Sequence, residues 1–196
     1  MYFPANRGSS NIRVQAPYVV AQIRALRSSI FKKSPEVQAA LAIAERVEHS
    51  YELTRDDLFV PADDTFSAIL EPFATSVLTG TLREIGYEMF PQYISVLKIP
   101  PANVKVALGI TKQEDVIRAV CEGFRRSVTG SDAGTLVVSA AGSTTTVTDT
   151  TFLPCGLFMG IFLGAGNLTG LFRANALIER RCRASGERVC SYDFVF

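Results

Sequence analysis

The chain has 196 residues, of which 47% are hydrophobic and 20% are charged, with a formal net charge of +1. This length and composition indicate one globular domain with its own core and exclude a disordered chain. Aromatic residues do not alternate with basic ones, which argues against a nucleic-acid-binding platform.

The first part of the chain is basic, and we interpret residues 1–15 as a leader before a single domain at residues 16–196. No acidic residue precedes Glu36. Such a segment could meet an acidic protein, an anionic membrane surface or nucleic acid, although a solvated helix face with a loose terminus is the simpler interpretation. Among partners, we expect an acidic protein. The basic residues before Glu36 are Arg7, Arg13, Arg24, Arg27, Lys32 and Lys33.

Helical periodicity dominates the first 128 residues. Ser34 can cap a helix over residues 34–49, in which Pro35 suits the first turn. A longer helix is predicted over residues 63–90, with a kink at Pro72, because proline removes a helical hydrogen bond. Further helices are predicted over residues 17–33 and 111–128.

The pattern changes after residue 130. Residues 135–150 are rich in β-branched residues and predict two strands that bend at Gly142 and Ser143. A helix is predicted over residues 154–172, followed by a second hairpin around Ser185 and Gly186. Helices followed by strand–strand–helix–strand–strand predict an α+β fold, in which helices cover an antiparallel four-stranded sheet.

Residues 152–172 carry no charge over 21 positions, which is long enough for a membrane span of about 20 residues. Yet the segment contains Pro154 and is closely flanked by predicted strands. Gly156, Gly160 and Gly164 fall on one helical face, where small residues let backbones approach closely. We therefore predict a buried helix whose glycine face packs against the sheet, and no integral membrane protein.

The four cysteines need an explanation. The start of the chain shows no secretory signal, so we expect a cytoplasmic protein, where structural disulfides are rare. Cys182 and Cys190 flank the second hairpin, Glu179 precedes them, and Cys155 begins the uncharged helix. Three thiolates and a carboxylate are suitable zinc ligands, although strand alternation requires a bulge after Glu179. By spacing alone, zinc and buried free thiols remain equally good interpretations.

The pattern Cys155, then Glu179, Cys182, Gly186 and Cys190 resembles the 4-vinyl reductase domain family over residues 130–196. The resemblance implies the fold of TRAPP transport subunits, with helices on a twisted antiparallel sheet, and a homodimer. It also implies structural zinc at Cys155, Glu179, Cys182 and Cys190. Similar domains serve as sensors of aromatic effectors or are associated with bacteriochlorophyll synthesis, which implies a tetrapyrrole as a possible ligand and a link to photosynthesis.

We expect a binding protein for a tetrapyrrole (a bilin, porphyrin or chlorophyll precursor) or another apolar ligand, used in sensing, carriage or pigment–protein assembly. A ligand-free scaffold and a tetrapyrrole vinyl reductase are the alternatives, although no motif for a hydride-carrying cofactor is present. His49, the only histidine, is interpreted as a surface residue. The expected pocket has apolar walls and an arginine for carboxylates, although each apolar member could equally be core. Its residues are Phe66, Leu70, Phe73, Phe158, Met159, Phe162, Leu163 and Arg173.

Overall fold

The computed structural model describes residues 11–73, 79–172 and 176–196. The described helices are α1 (Ala16–Ser28), α2 (Pro35–Ser50), α3 (Phe66–Leu70), α4 (Thr79–Val96), α5 (Val104–Ala107), α6 (Gln113–Ser127) and α7 (Cys155–Thr169). The strands are β1 (Arg13–Gln15), β2 (Phe59–Pro61), β3 (Val128–Thr129), β4 (Leu136–Ala141), β5 (Thr144–Asp149), β6 (Leu177–Arg181) and β7 (Cys190–Val195).

The strands form two antiparallel sheets. The larger sheet has the order β4-β5-β7-β6, and α7 connects its two hairpins in the chain. A helical and antiparallel α+β fold is therefore confirmed. The smaller sheet, with the order β2-β1-β3, was not predicted, because strands of two or three residues are too short to show a periodic pattern. Its central strand contains Arg13, so the end of the predicted leader is folded, whereas residues 1–10 lie outside the described residues.

The predicted start of α2 was right, because local capping decides it. The backbone N–H of Val37 donates to Ser34 Oγ at 3.3 Å, as expected for the start of α2. The long helix predicted over residues 63–90 is instead divided. Helix α3 ends at Leu70, a single 3₁₀ turn contains Pro72, and α4 begins at Thr79. Residues 74–78, which include the predicted apolar positions Val77 and Leu78, lie outside the described residues.

Helix α7 lies between α4 and the larger sheet, and its residues Gly160 and Gly164 face α4. A Cβ atom on Gly160 would lie 2.0 Å from the carbonyl oxygen of Arg83, and one on Gly164 would lie 2.1 Å from that of Tyr87. The prediction that the glycine face packs against the sheet was therefore wrong. Phe162 packs toward the sheet, with its ring centroid 5.0 Å from that of Phe194. Bulky rings fill the helix–sheet space, whereas glycine lets two helices approach closely.

The uncharged segment is thus part of the core. Helix α7 spans 15 residues, and most of its side chains are buried. Within the described ranges, the helices fall short of the length and apolar character that crossing a bilayer requires.

Candidate functional site

A cavity of about 320 Å³ lies within the helical layer, between α1, α4, α6 and α7. Its walls are mostly apolar. Part of the wall is formed by two small residues of α6, Ala119 and Gly123, which lie one turn apart. A Cβ atom on Gly123 would meet no atom within 4 Å, so this position borders open space. The apolar side chains that line the cavity are Met89, Phe90, Ile94, Leu97, Leu108, Val120, Phe124 and Ile161.

Two tyrosines bring hydroxyl groups to this cavity. The Tyr93 hydroxyl shares a hydrogen bond of 3.0 Å with Ser127 Oγ. Tyr18 is only 6% exposed, and its hydroxyl has no hydrogen-bond partner among the described residues. Burial, reinforced by Tyr93, raises the pKa of Tyr18 well above its ordinary value. Tyr18 is therefore a neutral hydrogen-bond donor at any physiological pH.

The charged groups of the cavity lining cancel each other. Arg126 Nε lies 3.1 Å from Glu122 Oε1, and these side chains are 76% and 47% exposed. Both residues are therefore at the rim, where they pair with each other in contact with solvent. The part of the lining that is shielded from water carries no charge among the described residues.

The residues predicted to bind a ligand lie elsewhere. Phe66, Leu70, Phe73, Phe158 and Phe162 are fully buried in the core, and Leu163 is buried while Met159 is half-buried. None of these seven lines the cavity, and Arg173 lies outside the described residues. The sequence contained one signal for the observed site, the small residues Ala119 and Gly123 within the otherwise bulky face of α6.

The predicted zinc ligands are brought together only in part. The sulfur atoms of Cys155, Cys182 and Cys190 all lie within 4.8 Å of one another. Cys155 and Cys190 are joined in a disulfide, and Cys182 is half-buried beside it. Glu179 is exposed on β6 and is not part of this group, although the bulge that its participation required is present between Glu179 and Arg181.

A buried ion pair lies next to this cysteine cluster. Arg183 Nη2 lies 3.4 Å from Asp149 Oδ2, and these side chains are 8% and 0% exposed. The same arginine donates to the carbonyl of Leu153 at 3.0 Å and to that of Thr151. Its Nε also donates to the sulfur of Cys190 at 3.3 Å. Arg183 therefore fastens the second hairpin to the segment that precedes α7.

Comparison with known proteins gives a fold likeness. No family model matches the chain. No curated protein matches it either. A solved structure from work on modulating heme redox potential through protein-induced porphyrin distortion aligns with a TM-score of 0.55 and 12% identity, over 93% of this chain and 99% of that chain.

Two further solved structures are H-NOX proteins. A mutant H-NOX protein from S. oneidensis in the Fe(II) ligation state aligns with a TM-score of 0.53 and 9% identity, over 89% of this chain and 94% of that chain. A variant of Tt H-NOX aligns with a TM-score of 0.50 and 13% identity, over 93% of this chain and 94% of that chain. The chain thus has a fold similar to that of H-NOX proteins.

These likenesses overturn two predictions. The assignment to the 4-vinyl reductase family with a TRAPP-like fold was wrong, because the similar solved structures are H-NOX proteins. Structural zinc was also wrong. The solved structures with a similar fold concern heme and an Fe(II) ligation state, not zinc. The packing of α7 against the larger sheet brings Cys155 and Cys190 together, and spacing alone does not distinguish a disulfide from a metal site.

The cavity does not fit a heme. Protein ligands of heme iron are histidine, cysteine, methionine or tyrosinate, and the described cavity lining contains neither histidine nor cysteine. His49 is exposed on α2, with Nδ1 2.6 Å from the carbonyl oxygen of Glu45. Tyr18 is held neutral and Tyr93 is hydrogen-bonded to Ser127, so Met89 is the one remaining candidate ligand in the lining.

Proposed function

We propose that this chain is a small-molecule-binding module that takes an apolar ligand into the cavity between α1, α4, α6 and α7. The observation that carries this proposal is a mostly apolar cavity of about 320 Å³, with charged residues only at its rim among the described lining, inside a fold similar to that of H-NOX proteins. Ligand pockets commonly measure about 300–1,000 Å³, so the ligand is small. An apolar cavity also disfavours water, which cannot form its hydrogen bonds there.

Helix α6 gives the module a route for signalling. One side of α6 lines the cavity through Ala119 and Gly123. From the same helix, Arg125 Nη2 donates to the carbonyl of Leu136 on β4 at 2.8 Å. A ligand that shifts α6 would therefore change the position of β4 at the edge of the larger sheet. This connection supports a sensor in preference to a passive carrier.

The first test blocks the cavity. Isothermal titration with 2-ethylnaphthalene should give saturable binding to the wild-type protein with a Kd in the micromolar range. Gly123→Leu should weaken this binding at least tenfold, because the new side chain enters the space that the ligand needs. Gly80→Ala, on the exposed start of α4, is the matched control and should bind as wild type does. Unchanged affinity in Gly123→Leu would exclude this cavity as the binding site.

A tetrapyrrole is the second candidate, favoured by the fold likeness to proteins associated with heme. Its test is titration with heme under reducing and oxidising conditions, followed by visible absorption. A cavity of this size without histidine or cysteine ligands predicts no shifted, saturable heme spectrum. A stoichiometric spectrum that Met89→Leu abolishes would instead favour the tetrapyrrole.

A further inference from the structure

We infer that the ligand is a neutral molecule with an apolar body and one hydrogen-bond acceptor, such as a ketone, aldehyde or ester, and that Tyr18 donates to this acceptor. The inference rests on the proposed function, because it names the chemistry of the molecule that the cavity would take. Three observations on Tyr18 and its surroundings carry it.

The first observation is that Tyr18 has an unused donor in a fixed position. Its ring stacks on that of Phe66 with centroids 5.4 Å apart, and it meets the edge of Tyr93 at 5.7 Å. The side chain is nine-tenths buried and lines the cavity, yet its hydroxyl has no partner among the described residues. The hydroxyl is not among the described polar atoms that are both fully enclosed and unpaired, so it borders accessible space on the cavity side, where a partner can reach it. A ligand acceptor would supply the absent partner.

The second observation is that the other tyrosine is engaged. Tyr93 shares a hydrogen bond with Ser127 Oγ in which either hydroxyl can donate, so Tyr93 already has a partner and Tyr18 does not. The two neighbouring rings therefore have different roles. Tyr93 shapes the wall, and Tyr18 offers the donor.

The third observation excludes a charged ligand. Burial holds Tyr18 in its neutral form, and Glu122 and Arg126 neutralise each other at the rim. A carboxylate or ammonium group inside the cavity would lose its hydration without a buried counter-charge, which is costly. A carbonyl oxygen needs only the one donor that Tyr18 provides.

The test compares two ligands of nearly equal shape, 2-acetylnaphthalene and 2-ethylnaphthalene, by isothermal titration. The wild-type protein should bind the ketone about three- to tenfold more tightly, which is the usual range for one neutral hydrogen bond. Tyr18→Phe should remove this preference and leave the affinity for 2-ethylnaphthalene within about twofold of wild type. Tyr51→Phe, whose hydroxyl bonds to Asp64 at 3.2 Å outside the cavity, is the matched control.

The outcomes separate the two proposals. If neither naphthalene binds, the proposed function fails and this inference fails with it. If both bind equally to the wild-type protein, the cavity is a binding site but the inference is wrong, even if Tyr18→Phe does not fold. If Tyr93→Phe removes the ketone preference while Tyr18→Phe retains it, the donor is Tyr93 and the assignment to Tyr18 is overturned.

Discussion

Asp149 and Arg183 show how single residues hold the second hairpin in place. Asp149 accepts hydrogen bonds from the backbone N–H of Thr151 at 2.7 Å and from the Tyr192 hydroxyl at 3.3 Å. Burial raises the pKa of Asp149, and the guanidinium of Arg183 opposes this shift without cancelling it. Removing one partner of such a pair is costly, because the other charge stays buried without compensation.

Arg183→Ala should therefore lower the free energy of unfolding by about 3–5 kcal/mol, the usual effect of breaking a buried ion pair. Arg180→Ala is the control. Its side chain is 58% exposed and pairs with Asp193 at 2.8 Å, and exposed pairs contribute below about 1 kcal/mol. Urea unfolding of both variants measures the difference. Equal losses would contradict a special role for Arg183.

The loss in Arg183→Ala should also depend on pH. Without the guanidinium, the pKa of Asp149 rises further above its unfolded value of about 4. A group whose pKa is raised on folding contributes its stability at low pH and loses it as the pH rises through the folded pKa. The variant should therefore be closer to wild type at pH 5 than at pH 8. Urea unfolding at both values checks this, and a constant difference would argue against ionisation of Asp149.

The four cysteines fall into three chemical states, which thiol labelling can separate. Protein that is unfolded without reductant should show two thiols, Cys121 and Cys182, because Cys155 and Cys190 are joined. In the folded protein, Cys182 should react with iodoacetamide first. Cys121 is 1% exposed, and burial raises its pKa to about 12, which disfavours the reactive thiolate. Peptide mass spectrometry identifies the sites, and four reactive thiols after unfolding would contradict the disulfide.

At the scale of elements, the crossing of α4 and α7 determines how the helical layer packs. Both helices contribute a glycine to the contact. A Cβ atom on Gly86 of α4 would lie 2.0 Å from the carbonyl oxygen of Leu157, just as one on Gly160 would meet Arg83. These are backbone atoms, so the helices themselves would have to move apart.

Gly160→Ala should consequently destabilise the protein by about 1–3 kcal/mol or more, despite the better helix propensity of alanine. Gly80→Ala, where a Cβ atom meets nothing within 4 Å, should stay within about 1 kcal/mol of wild type. Thermal unfolding followed by circular dichroism compares the two. If Gly160→Ala were neutral, the close crossing of α4 and α7 would be wrong.

At the scale of the whole molecule, ligand binding should stabilise the folded state. A ligand that binds only the native protein adds about 2.7 kcal/mol at a free concentration of 100 times its Kd. The melting temperature should therefore rise with the concentration of 2-acetylnaphthalene, and Gly123→Leu should remove this rise. Differential scanning calorimetry measures both. A rise that persists in Gly123→Leu would point to a second site.

The homodimer, the cytoplasmic location and the acidic partner stay predictions.

Interactions between residues that are close in the chain were sufficient to predict much of the fold. Ser34 and Pro35 begin α2 because capping involves only neighbouring residues. Gly142, with φ of 61°, and Gly186, with φ of 90°, lie in the turns of both predicted hairpins, since glycine adopts this conformation without steric cost. The uncharged residues 152–172, together with Pro154 and the predicted strands on both sides, were also enough to predict a buried helix.

Other features of the fold and the site depend on contacts between residues that are distant in the chain. Only the tertiary structure determines these contacts. Periodicity predicts that α7 has a glycine face. It does not predict that this face contacts α4, because a glycine face allows either a helix or a sheet to approach closely. The spacing in the sequence predicts that Cys190 lies near Cys182. The cysteine that bonds to Cys190 is instead Cys155, which is 35 residues away.

Ala119 and Gly123 mark only the α6 wall of the cavity in the sequence, because the rest of the cavity is space left between α1, α4, α6 and α7. The unpaired hydroxyl of Tyr18 likewise depends on which side chains the tertiary structure places around it.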